Sequence, residues 1–177
     1  MTDVLSSLEP YYKDGIQVSD EEKIKALHAV FYRDFFSDGV FLDGEKIKVK
    51  PYKYANRKKD NLPETFETYT EKFVHIITRS KKATHWKTAS KVREFNEDRA
   101  NRIHWFKPII ENQNDKRITR FKYIEDNGRE REYFWYRSKQ YIVILEHIAP
   151  GFDLITGFCV DSDNQPYYQK KYLNRIK

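Results

Sequence analysis

The side chains of this chain that could do chemistry are imidazoles, guanidiniums, ammoniums and hydroxyls. His75 and Arg79 stand four apart in FVHIITR, a same-face spacing on a helix and on a strand alike. Arg120 and Lys122 alternate with Phe121 and Tyr123 and therefore share one strand face. Arg137 follows Trp135 and Tyr136 at the end of an aromatic run, and Thr156 interrupts the apolar run LITGF. Gly157 beside that threonine would let a ligand approach the backbone. Arg102 and Lys107 contribute to the positive charge of the segment Arg99–Asn112. Such a set can cut RNA without a metal. The 2′-hydroxyl is the nucleophile, so the protein need supply a base, an acid and cations for the developing phosphorane charge.

Each of these residues also has a plain alternative. His75 could be packed half-buried beside Val74 and Ile76, and Arg120 and Lys122 could lie on a solvated outer face. Arg137 could make a rim salt bridge, and Thr156 could be a satisfied core threonine. His104, next to Trp105, reads as structural, while Glu146 is either a buried acid–base group or an edge carboxylate. The chain has no GxxxxGK[ST] loop, GxGxxG, HExxH or nucleophile elbow. Its acidic residues are spread along the sequence, so no metal or cofactor is expected.

The elements that must position these groups centre on residues 96–160. RANRIHWFKPIIEN reads as an amphipathic helix ending at Pro108, capped by Asn96. Four β-like runs follow: RITRFKYI, REYFWYR, QYIVILEH and FDLITGFCV. Their joints, Asp126-Asn127-Gly128, Ser138-Lys139 and Ala149-Pro150-Gly151, are too short for parallel crossovers. The expectation is an α+β fold: N-terminal helices and a small hairpin packed on a four-stranded antiparallel meander.

Ahead of that unit, Ser19 and Glu22 form a capping box for a helix with the stripe Ile24, Leu27, Phe31, Phe35, ending by Gly39. Val40–Lys50 reads as a hairpin turning at Asp43-Gly44. In its second arm Ile47 and Val49 alternate with Lys46, Lys48 and Lys50. These lysines, continued by Lys53, Arg57, Lys58 and Lys59, either protect an edge strand or track phosphates, with Tyr52 and Tyr54 as stacking surfaces. Phe66–Ser80 leans towards helix in its first part, residues 80–94 read as a basic mobile loop, and a terminal helix follows Asp161. The expected division is a helix–hairpin extension over 1–63 and a second domain over 64–177, or one continuous domain.

Composition narrows the class further. Hydrophobic residues make up 39% and charged residues 34%, yet 12 Phe, 13 Tyr and 3 Trp supply core material and argue against disorder. A lone Cys159 excludes an internal disulfide and a multi-cysteine zinc site. With no apolar run near the roughly 20 residues of a membrane helix and no signal-peptide pattern, a cytoplasmic protein without a membrane partner is expected. A net charge of +6 points to polyanions, nucleic acid first.

The order helix, RANRIHWFKPIIEN, basic strand, YFWYR strand, YIVIL strand and LITGFCVD resembles the phage-associated branch of the barnase–EndoU–colicin–RelE-like (BECR) nucleases. The similarity covers about Phe66 to Val160. It implies a small metal-independent ribonuclease with helices before a four-stranded antiparallel sheet, of prophage or toxin type. It further implies active-site roles for His75, Arg79 and Thr156 and a phosphate-binding role for Arg137; apart from the resemblance, the basic residues Arg120, Lys122, Arg102 and Lys107 are substrate-binding candidates. RNA (tRNA or mRNA) would be the substrate and an immunity or antitoxin protein a partner. The alternative is a non-catalytic module that binds nucleic acid or protein on the same sheet.

Overall fold

The computed structural model describes residues 3–50, 52–55, 64–80 and 93–177. Helix α1 (Asp20–Tyr32) opens on the expected capping box, with the Ser19 hydroxyl accepting from the Glu22 backbone and the Glu22 carboxylate from the Ser19 backbone. It continues as a π-helical stretch, Arg33–Asp38, and stops at Gly39, whose φ of +83° suits glycine. The hairpin that follows pairs β1 (Phe41–Leu42) with β2 (Glu45–Lys46). Asp43 and Gly44 turn it at φ +52° and +85°, the two successive positive values a tight hairpin turn demands.

Residues 64–80 form a 3₁₀ turn (Glu64–Thr68), helix α2 (Glu71–Ile77) capped by Thr70, and strand β3 (Thr78–Ser80). β3 pairs antiparallel with β4 (Arg93–Phe95). This removes the same-face argument for His75 and Arg79, because the backbone changes from helix to strand at Thr78 and neither period carries across. The rest of the expected basic loop (81–92) and of the basic stripe (Arg57, Lys58, Lys59) lies outside the described residues.

The segment Arg99–Asn112 is not one helix ending at Pro108. Helix α3 (Glu97–Ala100), capped by the Asn96 side chain, gives way to a 3₁₀ turn (Ile103–Trp105). Helix α4 (Phe106–Glu111) then begins just ahead of the proline. In the first turn of a helix an N–H has no intrahelical partner, so Pro108 is tolerated there and opens a helix instead of closing one.

The meander is as expected. Strands β5 (Ile118–Ile124), β6 (Glu130–Tyr136), β7 (Tyr141–Ile148) and β8 (Gly151–Cys159) pair antiparallel in sequence order. Phe134, Tyr136, Val143, Leu145 and Leu154 join a core that also holds Leu5, Leu8, Leu27, Phe31, Phe73 and Phe106. That one core spans both sides of residue 64. Each such fully buried side chain contributes about 1.5–3 kcal/mol. On the other face Tyr133, Trp135, Ile142 and Ile144 receive Tyr168 and Tyr172 of helix α5 (Gln165–Leu173).

Two features adapt β8 to its surroundings. Its first half is paired on the outer side by the β2 continuation: Lys48 N donates to Phe152 O and Leu154 N to Lys48 O, both at 2.8 Å. Opposite Ile144 and Leu145 the strand carries a bulge. Asp153 sits across from Glu146 and Thr156 across from Ile144, so three residues of β8 face two of β7. Both side chains therefore reach the α5 face, although simple alternation would send them to opposite faces.

Candidate functional site

Helices α2 and α3 both pack against β8. The Thr70 hydroxyl accepts from Phe73 N and starts α2 so that Lys72 and His75 lie three apart on one side of it. His75 is an exposed side chain in a crowded setting. Desolvation by the surrounding chain, and then the charges of Arg93, Lys72 and Arg99, hold its imidazole down to about 4. It is neutral at pH 7.

The cations around it are fixed by the backbone they cross. Arg93 donates from Nε to Thr78 Oγ1 (2.8 Å) and from Nη2 to the carbonyls of His75 (3.0 Å) and Thr78 (2.9 Å). Arg99 donates to the Thr78 carbonyl at 3.2 Å, and its guanidinium lies 5.1 Å from the Phe158 ring centroid. The Arg99 pKa is lowered, first by burial and then by Arg93 and Arg79. Three guanidiniums thus crowd one another at the α2–β3 junction, an arrangement that an anion relieves.

Beside them opens a cleft of about 390 Å³, lined by Arg79, Asn96, Arg99, Phe158, Asp161 and Tyr168 among others. The Phe158 and Tyr168 rings lie 5.6 Å apart at 52°. Burial, with Tyr167 adding to it, pushes the Tyr168 phenol up to about 12, so it stays a hydrogen-bond donor throughout the neutral range.

Along the same strand face, two residues before Phe158, lies Thr156, buried and with its hydroxyl unpartnered. The next row is acidic. Glu146 accepts from Arg129 Nη1 at 2.8 Å and faces Arg131 Nε at 3.6 Å, and its Oε2, like Oδ1 of Asp153 opposite, has no hydrogen bond. Lys72 senses both acids: desolvation lowers its pKa, and Asp153 and Glu146 oppose that shift. Acids, ammonium, imidazole and guanidiniums therefore follow one another beside β8. Among the described residues, no three His, Cys, Asp or Glu side chains gather closely enough to hold a metal ion.

Arg99 links the expected site residues. It acts on His75, is acted on by Arg79, and covers Phe158 next to Thr156. Arg137 is elsewhere, between α5 and the sheet. Its guanidinium stacks 4.0 Å from the Trp135 ring and 4.9 Å from Tyr172, and donates to Thr119 Oγ1 and Gln169 Oε1. Arg120 and Lys122 share a face as expected, but on the helix side of the sheet. Arg120 is paired with Glu132 and with Asp43 (2.6 Å), and Lys122 with Glu130 (3.4 Å). Arg102 is held by Asp98 and stacks on Trp105, and Lys107 donates to Gly39 O at 2.9 Å. Nor does Gly157 make room for a ligand: a Cβ there would stand 2.6 Å from Phe106 Cζ and 3.1 Å from the Tyr141 hydroxyl.

Sequence reasoning singles out Glu146 but misses Arg99, Lys72 and Asp153, the acid across the strands from Glu146. Arg99 and Lys72 look like ordinary surface charges in the sequence; the pairing of Asp153 with Glu146 follows from the tight turn at Ala149-Pro150, and it is Thr156 that a bulge without a sequence mark brings to their face. Comparison with protein-family models, with curated proteins and with solved structures finds no match to this chain. Among the described residues no helix is long and apolar enough to cross a membrane.

Proposed function

We propose that the protein is a metal-independent endoribonuclease whose centre lies where α2 and α3 meet β8. One observation carries the reading: a neutral histidine set among Lys72, Arg93 and Arg99, next to a cleft that adds Arg79. A bound phosphodiester would offset those cations and raise the basicity of His75. His75 would then take the proton of the 2′-hydroxyl as that oxygen attacks phosphorus. The bond to the 5′-oxygen breaks, and the departing oxygen takes a proton from solvent. Arg79 and Arg99 would clamp the phosphate oxygens with their planar forks, while Thr156, buried two residues before Phe158, lies behind the cleft wall and would not touch the nucleotide. The resemblance of FVHIITR to the BECR nucleases supports His75 and Arg79. A nuclease of this kind would need a neutralising partner in its own cell, and an acidic protein surface would fit the cleft.

The test is incubation with total cellular RNA in EDTA, read on a gel beside His75→Ala. Fragmentation that survives chelation and vanishes in the variant is expected. Intact RNA in both lanes would favour the second reading, a binding module without turnover. One observation favours that alternative: with a pKa near 4, His75 in the free protein is a weak base at neutral pH.

A further inference from the structure

One flank of α1 and its π-helical continuation, half-buried at His28 and Phe36 and exposed at Tyr32, carries rings up to the solvent, where charge is ordinary. His28, Tyr32 and Phe36 follow at four-residue spacing. Their centroids run in file, His28 to Tyr32 at 6.4 Å, Tyr32 to Phe36 at 5.3 Å and 19° between planes, and Phe36 to Tyr52 at 6.2 Å. Tyr32 is 53% exposed and Tyr52 55%, so neither is a core residue. Beside the file lies a groove of about 310 Å³, floored by Phe35, Ile47 and Val49 and rimmed by Lys46, Lys48 and Tyr52. Lys50 and Lys53 are exposed and extend the ammonium row, Lys53 sharing its charge with Glu71 at 3.1 Å. Two nearby acids are already matched: Asp34 pairs with Arg33 at 2.6 Å and Asp38 lies 3.8 Å from Lys107.

Lysines alone would be accounted for as protection of a strand edge, and rings alone as a protein-docking patch. Their alternation around one groove needs a partner that is polyanionic and also has flat apolar faces. A duplex hides its base faces in the stack, whereas a single strand offers both. We infer that this groove binds single-stranded nucleic acid, with bases stacking on Tyr32 and Tyr52 and phosphates following Lys46, Lys48 and Lys50. The surface shares no residue with the His75 cleft, so the inference stands or falls apart from the cleavage reading.

The test uses the full chain carrying His75→Ala, so that RNA would survive, and measures fluorescence anisotropy of a labelled eight-nucleotide oligo(U). Tyr32→Ala and Tyr52→Ala should each loosen binding by about five- to tenfold. The log–log salt dependence should have a slope near −2 for about three phosphate contacts on a single strand. A duplex of equal length should compete poorly. Binding indifferent to both tyrosines, or displaced equally by duplex and heparin, would reduce the surface to unspecific charge and overturn the inference. No binding of oligo(U) would also overturn it and leave a protein-docking patch.

Discussion

The Arg99 guanidinium lies 5.1 Å from the centre of the Phe158 ring while donating to the Thr78 carbonyl at 3.2 Å. One side chain thus ties the start of β3 to the end of β8 and carries its charge into the surroundings of His75. In the proposed nuclease the chemistry of the cleft would depend on this contact, because Arg99 is both a positioning element and a cation.

The first prediction concerns the His75 pKa, which desolvation depresses to about 4 together with the charges of Arg93, Lys72 and Arg99. Removing one cation must raise it. In Arg99→Gln the imidazole should titrate measurably closer to the ordinary 6.5, and added inorganic phosphate should raise it further in the native protein. Imidazole ¹⁵N chemical shifts against pH would check both. A value unmoved by phosphate would mean that the cations do not form an anion site.

The same depression couples to stability. The unfolded chain binds a proton at His75 near the ordinary 6.5, whereas the folded chain does so near 4, so between these values the unfolded state holds more protons. Stability from this residue is fully present above about 6.5, falls as pH drops through that window, and is lost below about 4. His75→Gln, which cannot titrate, should show a flatter decline in urea midpoint between pH 6.5 and 4 than the native chain. Parallel declines would refute the coupling.

Much of the fold was legible because it depends on local chemistry. The Ser19–Glu22 box, the Asp43-Gly44 turn, the Asn96 cap and the short joints of the meander each follow from what neighbouring backbone groups require. The site was less legible because tertiary placement decides it. His75 and Arg79 flank a helix-to-strand change that periodicity cannot foresee, and the bulge in β8 sets Asp153 and Thr156 on one face against simple alternation. Arg137 shows the opposite failure: a guanidinium that ends an aromatic strand looks available in sequence, yet its rings are its own stacking partners. Pro108 was misjudged because a proline that would break a helix interior is accommodated in a first turn.

Arg137 offers a prediction that separates structure from chemistry. Sandwiched by Trp135 and Tyr172 and bonded to Thr119 and Gln169, it fastens α5 to the sheet away from the cleft. Arg137→Ala should cost about 1–3 kcal/mol from lost cation–π and hydrogen-bond contacts. RNA cleavage per folded molecule should be unchanged. A variant of native stability that no longer cleaved RNA would instead return Arg137 to the active site.

Lys171 provides the last and most demanding test, since it seals the same helix from within. Its side chain is only 7% exposed and meets Glu125 at 2.5 Å and the Tyr133 hydroxyl at 3.0 Å. The rings of Tyr123 and Tyr167 each lie 4.8 Å from its ammonium. A buried pair of this kind adds little net stability over an apolar pair of equal volume, because desolvating both charges cancels much of their attraction. Breaking it is another matter. Lys171→Met leaves the Glu125 carboxylate without its cation and should cost about 3–5 kcal/mol. Adding Glu125→Leu removes the stranded charge and should restore most of that loss. Urea denaturation of both single variants and the double one would show this as a strongly non-additive cycle. If the double variant were as unstable as the sum of the singles, the ion pair would be incidental, and α5 would be held by Arg137 and by its tyrosines instead.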